Sequence, residues 1–320
     1  MMDPLSEILR SVRLAGGVFL EARFTAPWCV SACISSMIGK AFLSKPSQLV
    51  AYHYIVEGEL QLSFEGQPPV AARAGEIIMF PHNEGHMLSS GPGVAPVSTE
   101  QLVGEAAEGG LMRIDHGGGG TPTRIICGFL ALEDDYHPLV ATLPRCLKVD
   151  VRQGASSQWI EAATQFAAAE LAKGRTASSV VVAKLAELLF VEAVRQHAAS
   201  HGEQEIGWLR GLKDPYVGRA LALLHDDIGK TWSAEDLARE VALSRSAFVE
   251  RFSASVGMPP ARYAALWRLQ TAKRHLRETQ NSVAQSAYAV GYESEEAFSR
   301  AFKRAFGLPP AHWRDQPAVT

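Results

Sequence analysis

SRSAFVERFSASVGMPPARY (Ser244 to Tyr263) and SEEAFSRAFKRAFGLPPAHW (Ser294 to Trp313) align with each other without a gap, at an offset of 50 residues. Each copy starts with a serine whose hydroxyl can cap a helix, and each continues with two phenylalanines spaced one helical turn apart. Each copy ends in Gly-x-Pro-Pro-Ala, where the glycine suits a left-handed helix end and the prolines start the next element. The repeat therefore predicts two capped helices of equal length.

A shorter helix is predicted immediately before each copy. SAEDLAREVAL has a capping box from Ser233 to Asp236, and SVAQSAYAVGY follows with the same apolar spacing. Ala238 and Ala287 are small where two helices must cross closely, and Gly291 supplies the turn. The pattern thus predicts two helix-turn-helix units. The inward-facing residues of the first helix are Leu237, Ala238 and Val241 in the first unit, and Val283, Ala287 and Val290 in the second.

The segment between the units, ARYAALWRLQTAKRHLRET, predicts a connecting helix of about 19 residues, or ~28 Å at 1.5 Å per residue. One turn of double-helical DNA is ~34 Å long. The two predicted units are therefore spaced so that the second helix of each can enter successive major grooves on one face of a duplex.

From Tyr216 to Arg314 these features resemble the AraC/XylS family of bacterial regulators, including the ending GYESEEAFSRAFKRAFGLPPAHWR. The resemblance implies that the second helix of each unit reads DNA. Arginine can donate two hydrogen bonds to guanine and glutamate can accept one from cytosine, whereas Lys303 and Arg304 suit phosphates. Carried over by position, the DNA-binding residues are Arg245, Ser246, Val249, Glu250 and Arg251 in the first unit, and Glu295, Glu296, Ser299, Arg300, Lys303 and Arg304 in the second.

The first half of the chain has a different pattern. From about residue 18 to residue 147, short apolar runs broken by Gly, Pro and Asn predict an all-β module with a helical start. In QLVAYHYIV, Leu49, Ala51, His53 and Ile55 share one face. GELQLSF also alternates, which predicts a hairpin between the two runs. The glycine-rich segment HGGGGTP (116–122) is expected to be a flexible connection.

The string GEIIMFPHNEGH (75–86) resembles the second cupin motif, Gly-x5-Pro-x-Gly-x2-His, with Asn83 in place of the second glycine. Asparagine tolerates the turn conformation that glycine would supply. The resemblance implies a cupin-type sensor domain over about residues 3–150. An effector pocket is expected at His53, Leu62, His82 and His86.

A metal site is a second expectation for this module. A complete cupin site takes two His and one Glu from a first motif, and this chain lacks the His-x-His there. Zinc or another divalent metal suits imidazole and thiolate ligands. The candidate ligands are His53, His82, His86 and Cys127, with His116 as a further candidate, and the alternative is that these histidines are hydrogen-bonded pocket or surface residues.

Helical spacing returns after residue 149, in SQWIEAATQFAAAELAKG (157–174) and TASSVVVAKLAELLFVEAVRQHA (176–198). The second segment has more apolar surface than one neighbour would cover, which favours a dimer-forming pair over a simple cap on the barrel. We therefore predict an α+β protein of two domains, a cupin-like β-barrel with a helical pair and an all-α double helix-turn-helix. The expected boundaries are 1–150 for the cupin-like domain, 151–205 for the dimerisation helices, 206–215 for a linker and 216–320 for the DNA-binding domain.

Composition agrees with a globular regulator. No apolar run of about 18 residues or basic leader is present, so a cytoplasmic protein without membrane contact is expected. The four cysteines are spaced too irregularly for a disulfide framework and are expected to be free thiols. Residues 214–320 hold 14 Lys/Arg against 12 Asp/Glu, an excess too small to decide the function.

The predicted function is that of a sequence-specific transcriptional regulator without enzymatic activity. Its expected partners are double-stranded promoter DNA, a small-molecule effector, a second copy of the chain and, if it activates, RNA polymerase. The alternative is a cupin-type metalloenzyme, an oxygenase or isomerase with a helical appendage. The missing first-motif histidines argue against that alternative, since such an enzyme needs a full ligand set.

Overall fold

The computed structural model describes residues 5, 6, 9, 12, 14–34, 48–104, 112–132, 137–152, 162, 178–200, 208–279 and 281–315. The first of the two predicted dimerisation helices, 157–174, lies outside the described residues except for residue 162. The strands are β1 Leu14–Thr25, β2 Cys29–Ala32, β3 Gln48–Glu57, β4 Glu59–Ser63, β5 Val70–Arg73, β6 Glu76–Phe80, β7 His86–Ser89, β8 Val97–Ser98, β9 Met112–Gly117, β10 Pro122–Leu132 and β11 Leu147–Asp150.

The strands form two sheets that face each other. The six-stranded sheet has the order β11-β6-β3-β10-β1-β9, and the five-stranded sheet has the order β5-β4-β7-β2-β8. Alternating residues of both sheets meet in one apolar core, which includes Ile55 of β3 and Leu62 of β4. The cupin-like module is confirmed, as two facing sheets rather than one closed barrel.

Two sequence predictions in this module are wrong. The runs β3 and β4 do not form a hairpin, because β3 pairs with β10 and β6 whereas β4 pairs with β5 and β7. Gly58 lies between them with φ +79°, and a side chain there would come within 2.4 Å of the Pro122 carbonyl oxygen. The chain therefore passes from one sheet to the other at this glycine.

The glycine-rich segment 116–122 is a tight crossing over the end of β1 rather than a flexible connection. The amides of Gly118 and Gly120 donate to the carbonyl oxygens of Thr25 and Ala26, both at 2.8 Å. A side chain at Gly117 would lie 1.9 Å from the Thr25 carbonyl oxygen. Gly117, Gly118 and Gly120 are thus required by close contact, and Gly119 is required by its left-handed backbone (φ +87°).

The described helices are α1 Thr99–Leu102, α2 Pro138–Ala141, α3 Ser178–Ser200, α4 Trp208–Lys213, α5 Pro215–Asp226, α6 Ala234–Glu240, α7 Arg245–Val256, α8 Pro260–Glu278, α9 Val283–Ala289, α10 Glu295–Phe306 and α11 Pro310–Arg314. Among them, none is both long and apolar enough to cross a membrane. Helix α3 is the second predicted dimerisation helix, and α8 is the predicted connecting helix. All four cysteines are free, as expected.

The expected linker at 206–215 is largely helical. Helix α4 buries Trp208 completely, and the indole nitrogen of Trp208 donates a hydrogen bond of 2.8 Å to the hydroxyl of Tyr263. A buried tryptophan with a satisfied N–H belongs to a core and not to a linker. The polar residues and glycines of the segment hid this anchor from sequence analysis.

Two apolar clusters divide the helical part of the chain. One cluster joins the outer face of the six-stranded sheet, α3 and α4 to the first helix-turn-helix unit and to Trp267 in the first half of α8. The other holds the second half of α8 together with α9, α10 and α11. The first unit therefore shares its core with the sensor domain, whereas the second unit has a core of its own.

Candidate DNA-binding surface and effector cavity

The two helix-turn-helix units have the predicted local chemistry. Ser233 and Ser282 each form a capping box at the start of the first helix of a unit. Leu237, Ala238, Val241, Ala287 and Val290 are buried, and Val283 packs against the second cluster as a half-buried side chain. In each turn an amide returns to the first helix, from Leu243 to the Ala238 carbonyl at 2.9 Å and from Tyr292 to the Ala287 carbonyl at 3.0 Å.

The residue before each of those amides has a left-handed backbone. In the second unit it is Gly291 (φ +80°), and in the first it is Ala242 (φ +56°). An alanine in this conformation is strained by its Cβ, whereas glycine is not. The first unit therefore carries a local strain that the second unit avoids.

Replacing Ala242 with glycine is expected to stabilise the protein by about 0.5–1 kcal/mol, because it relieves this strain at an exposed position. The matched control is Ala254→Gly, at an exposed position inside α7, which should destabilise by a similar amount. Chemical denaturation measures both changes, and a loss of stability in Ala242→Gly would contradict the assigned turn.

Helix α10 presents a charged face to solvent. The side chains of Glu295, Glu296, Arg300, Lys303 and Arg304 are exposed, and Ser299 is half-buried. Among the described residues, none of these charged side chains has a hydrogen-bond or ion-pair partner. The opposite face holds Phe298 and Phe302, which are fully buried. The helix thus has the amphipathic form that a DNA-reading helix requires, with its polar groups accessible.

Helix α7 occupies the equivalent place in the first unit but is less uniformly exposed. Arg245, Ser246 and Glu250 are exposed, whereas Val249 is half-buried against the shared core. The Nε of Arg251 lies 2.6 Å from a carboxylate oxygen of Asp214. Its guanidinium also lies 4.8 Å from the Tyr216 ring centre, so Arg251 ties α7 to α5.

Two basic residues of the connecting helix α8 contact a ring of α11. Lys273 is buried, with its Nζ 3.9 Å from the centre of the Trp313 ring, and the guanidinium of Arg277 lies 4.2 Å from the same ring. These cation–π contacts fasten α11 to α8.

A second candidate site is a small cavity between the two sheets, with a volume of about 40 Å³ for water-sized probes and partly open to solvent. Ala22, Ala32 and Ala51 lie where larger side chains would fill the space. The described residues that line the cavity are Leu20, Ala22, Phe24, Val30, Ala32, Cys33, Ile34, Ala51, His53, His86, Leu88, Thr99, Val103, Ile114, Ile125 and Cys127.

Three buried polar side chains at this cavity form a hydrogen-bonded chain. His86 Nδ1 lies 2.8 Å from the Glu84 carbonyl oxygen and therefore carries a proton. His86 Nε2 then accepts from His53 Nε2 at 2.9 Å, and His53 Nδ1 accepts from the Cys127 thiol at 3.0 Å. Every ring nitrogen of both histidines is thus used while both rings are neutral.

Burial keeps these groups uncharged. Burial lowers the pKa of His86 to about 4. It also lowers the pKa of His53, and the neighbouring His86 lowers that pKa further. It raises the pKa of the Cys127 thiol to about 12. The Phe80 ring stacks on His86 with ring centres 3.8 Å apart, which shields it further from water.

This arrangement does not fit the expected metal site. His86 lies on the Nε2 side of His53 and Cys127 on the Nδ1 side, so the three groups cannot converge on one ion. In the part of the chain that the structure describes, no group of three His, Cys, Asp or Glu side chains is placed to hold a metal. His82 points elsewhere, since its Nε2 bonds the Leu143 carbonyl oxygen at 2.9 Å.

Two of the four expected pocket residues line the cavity, His53 and His86, and two do not. Leu62 is buried in the same core but lies on β4, away from the cavity. His82 follows the end of β6, where the alternation that would turn it inward stops. Asn83 has the expected turn conformation (φ +48°), and its side chain holds both the amide and the carbonyl of Ile34.

A pocket near His53 and His86 was predicted, but the alanines that leave its space open could not be. Alternation along β3 places Ala51 on the inward face, but it cannot distinguish an alanine packed against a large neighbour from one that leaves space. The same holds for Ala22 on β1 and Ala32 on β2. Which positions open a cavity depends on the pairing of strands distant in sequence.

Comparison with known proteins identifies both domains. Residues 3–199 match a family model described as cupin, and residues 237–316 match one described as helix-turn-helix domain. An AraC-like transcription regulator of Streptomyces lividans is 31% identical over 99% of this chain and 100% of its own length. The HTH-type transcriptional regulator AlkR of Acinetobacter baylyi is 28% identical over 98% of this chain and 100% of its own.

Among solved structures, the DNA-binding domain of AdpA, in complex with a target DNA, is 29% identical to this chain. That match covers 32% of this chain and 90% of the AdpA domain, with a TM-score of 0.31.

Proposed function

This chain belongs to the AraC-like transcriptional regulators, and from that premise we propose that a small molecule bound between the two sheets controls how it binds promoter DNA. The chain is a DNA-binding regulator with a cupin domain and a helix-turn-helix domain. The observation that carries the proposal is the core that the sensor sheet shares with the first helix-turn-helix unit. A change in the sheet can therefore be transmitted to α7 by direct packing.

Helix α4 is the central element of this route. It packs against α2 of the sensor domain on one side and against α5 and α7 on the other. The Tyr263 hydroxyl, which accepts from Trp208, also lies 2.8 Å from Nε2 of His225 in α5. This network connects α4 to the first half of α8.

Buried histidines also lie on both sides of the boundary between the domains. His137, at the start of α2, is buried near His225, which stacks on Trp267 with ring centres 4.1 Å apart. Burial, followed by the charge of His225, lowers the pKa of His137 to about 3. Burial likewise lowers the pKa of His225 to about 3, so both rings are neutral, as suits a tightly packed boundary.

Thermodynamic linkage limits what an effector can do. It changes DNA affinity only if it binds more tightly to one arrangement of the domains than to another. Either sign fits the fold, so the chain acts as a repressor or, through RNA polymerase, as an activator. Because the second unit has a separate core, we infer that the first unit receives the signal. Self-association through α3, where Leu188 is 49% exposed, stays a prediction.

The alternative function, a cupin-type oxygenase or isomerase, has no supporting observation among the described residues. It would need metal ligands that converge, and His53, His86 and Cys127 do not. The relatives of comparable length are named as transcription regulators.

A cavity-filling variant tests the proposed control. Compounds that raise the melting temperature of the wild-type protein should fail to do so in Ala51→Leu, because Ala51 lines the cavity. Ala71→Leu, at an exposed position of β5, is the matched control. Bound compounds should change the Kd for the chain's own upstream DNA about fivefold or more. A compound set that binds the cavity and never alters that Kd would contradict the proposal.

A further inference from the structure

The lining of the cavity restricts the chemistry of what can bind there. Eleven of the sixteen described lining residues have hydrocarbon side chains, and none of the sixteen is Asp, Glu, Lys or Arg. The polar groups are those of Cys33, His53, Thr99, His86 and Cys127. A charged group that entered the cavity would lose its hydration without meeting an opposite charge among these residues. The desolvation of that charge would cost on the order of several kcal/mol.

The two histidines cannot provide the missing charge. Each already uses both ring nitrogens, and protonation of His86 at Nε2 would place a second proton opposite the one that His53 donates. Both rings also lie deep between the sheets, with 4% of His86 and 7% of His53 exposed. A carboxylate would therefore have to break the hydrogen-bonded chain and force a proton onto a buried ring.

Hydrogen bonding to a ligand is similarly limited. The Cys127 thiol is directed to His53, and the Cys33 thiol lies 3.4 Å from the Asn83 carbonyl oxygen. The Thr99 hydroxyl is the remaining polar group of the described lining. The described walls therefore offer a hydrocarbon surface to most of a ligand and a polar contact to one small part of it.

We propose that this cavity takes an uncharged, largely hydrocarbon molecule and rejects a carboxylate of the same size. The inference rests on the proposed function only in naming the bound molecule as the effector. Apolar contact and release of water from the alanine-lined space drive binding, at about 25 cal/mol per Å² of apolar surface buried. The neutral histidine chain acts as a barrier to charge, because it has no free donor to offer an anion.

Three probes of equal chain length test the proposal on the full-length protein: 1-decanol, methyl decanoate and decanoate. We expect the two neutral probes to bind, measured by calorimetry and by the rise in melting temperature, and decanoate to bind at least about tenfold more weakly, or 1.4 kcal/mol. Decanoate bound as tightly as 1-decanol would overturn the proposal, and so would failure of both neutral probes to bind.

The dependence on pH provides a second readout. If a histidine served as counter-ion, decanoate affinity would rise as the pH falls from 8 to 6, through the usual histidine range. Because burial holds the pKa of His86 near 4, no such rise is expected over that interval. A tenfold rise would contradict the proposed barrier.

Variants locate the binding and separate the two proposals. Ala51→Leu and Ala32→Leu should each abolish binding of the neutral probes, and Ala71→Leu should not; two filling variants are used in case one fails to fold. Unchanged binding in both filling variants would overturn the cavity assignment. If 1-decanol binds but leaves the Kd for DNA unchanged, the control of DNA binding fails while the ligand class holds. If decanoate binds and shifts that Kd, the ligand class fails while the control holds.

Discussion

Replacing Phe298 with alanine is expected to lower the free energy of unfolding of the second helix-turn-helix unit by about 3–5 kcal/mol. Phe298 is fully buried, and its ring centre lies 5.4 Å from that of Phe302 and 5.3 Å from that of Tyr292. These rings belong to the apolar cluster that holds the second half of α8 together with α9, α10 and α11. Loss of one ring should melt this unit first and thereby remove its contacts to DNA. DNA affinity should then fall about a hundredfold, which corresponds to about 3 kcal/mol of binding free energy.

Phe248→Ala is the matched control, because Phe248 holds the same position in the first copy of the repeat. It is equally buried, but its cluster extends through α4 to the sensor sheet. Calorimetry should therefore show an early separate transition for Phe298→Ala and a lowered main transition for Phe248→Ala. Identical melting profiles for the two variants would contradict the division into one shared and one independent core.

Replacing Arg300 with alanine is expected to cost about 1–3 kcal/mol of DNA binding and to relax specificity at one base pair. Arg300 is exposed on α10 and has no hydrogen-bond or ion-pair partner among the described residues, so its guanidinium is available to a guanine edge. The measurement is a competition assay over all single substitutions of the protected site.

Two variants set the scale for that result. Lys303→Ala should weaken binding uniformly across sequences and reduce the salt dependence by about one phosphate contact. Glu250→Ala removes the acidic residue at the position of the first unit that is equivalent to Arg300. This variant should not show the loss of affinity and specificity expected for Arg300→Ala. A uniform loss in Arg300→Ala would assign that arginine to the phosphate backbone.

Local signals made the DNA-binding half readable from sequence. Serine caps, paired phenylalanines and terminal glycines each act within one or two helical turns, so the helices α7 and α10 follow directly from the repeat. The offset of 50 nevertheless holds only from the second helices onward. The returning amides of Leu243 and Tyr292 are 49 residues apart, because the second turn has Glu293 as an additional residue before its cap.

The sensor half was less readable because its arrangement depends on distant pairing. Alternation identified the inward faces of β3 and β4, but it could not show that the two strands belong to different sheets. The role of Trp208 was hidden for the same reason, since its partner Tyr263 lies 55 residues away. His53 and His86 of the expected metal site lie close together, but Cys127 lies on the opposite side of the His53 ring and His82 bonds the Leu143 carbonyl oxygen, which no sequence pattern shows.

The most direct test of the central claim is a methylation-interference footprint of the full-length protein on the DNA upstream of its own gene. If α7 and α10 enter successive major grooves, modified guanines should interfere in two groups about 10 bp apart, on one face of the duplex. Interference in a single group, or equal binding to unrelated DNA at the same salt concentration, would contradict the assignment of both helices to DNA.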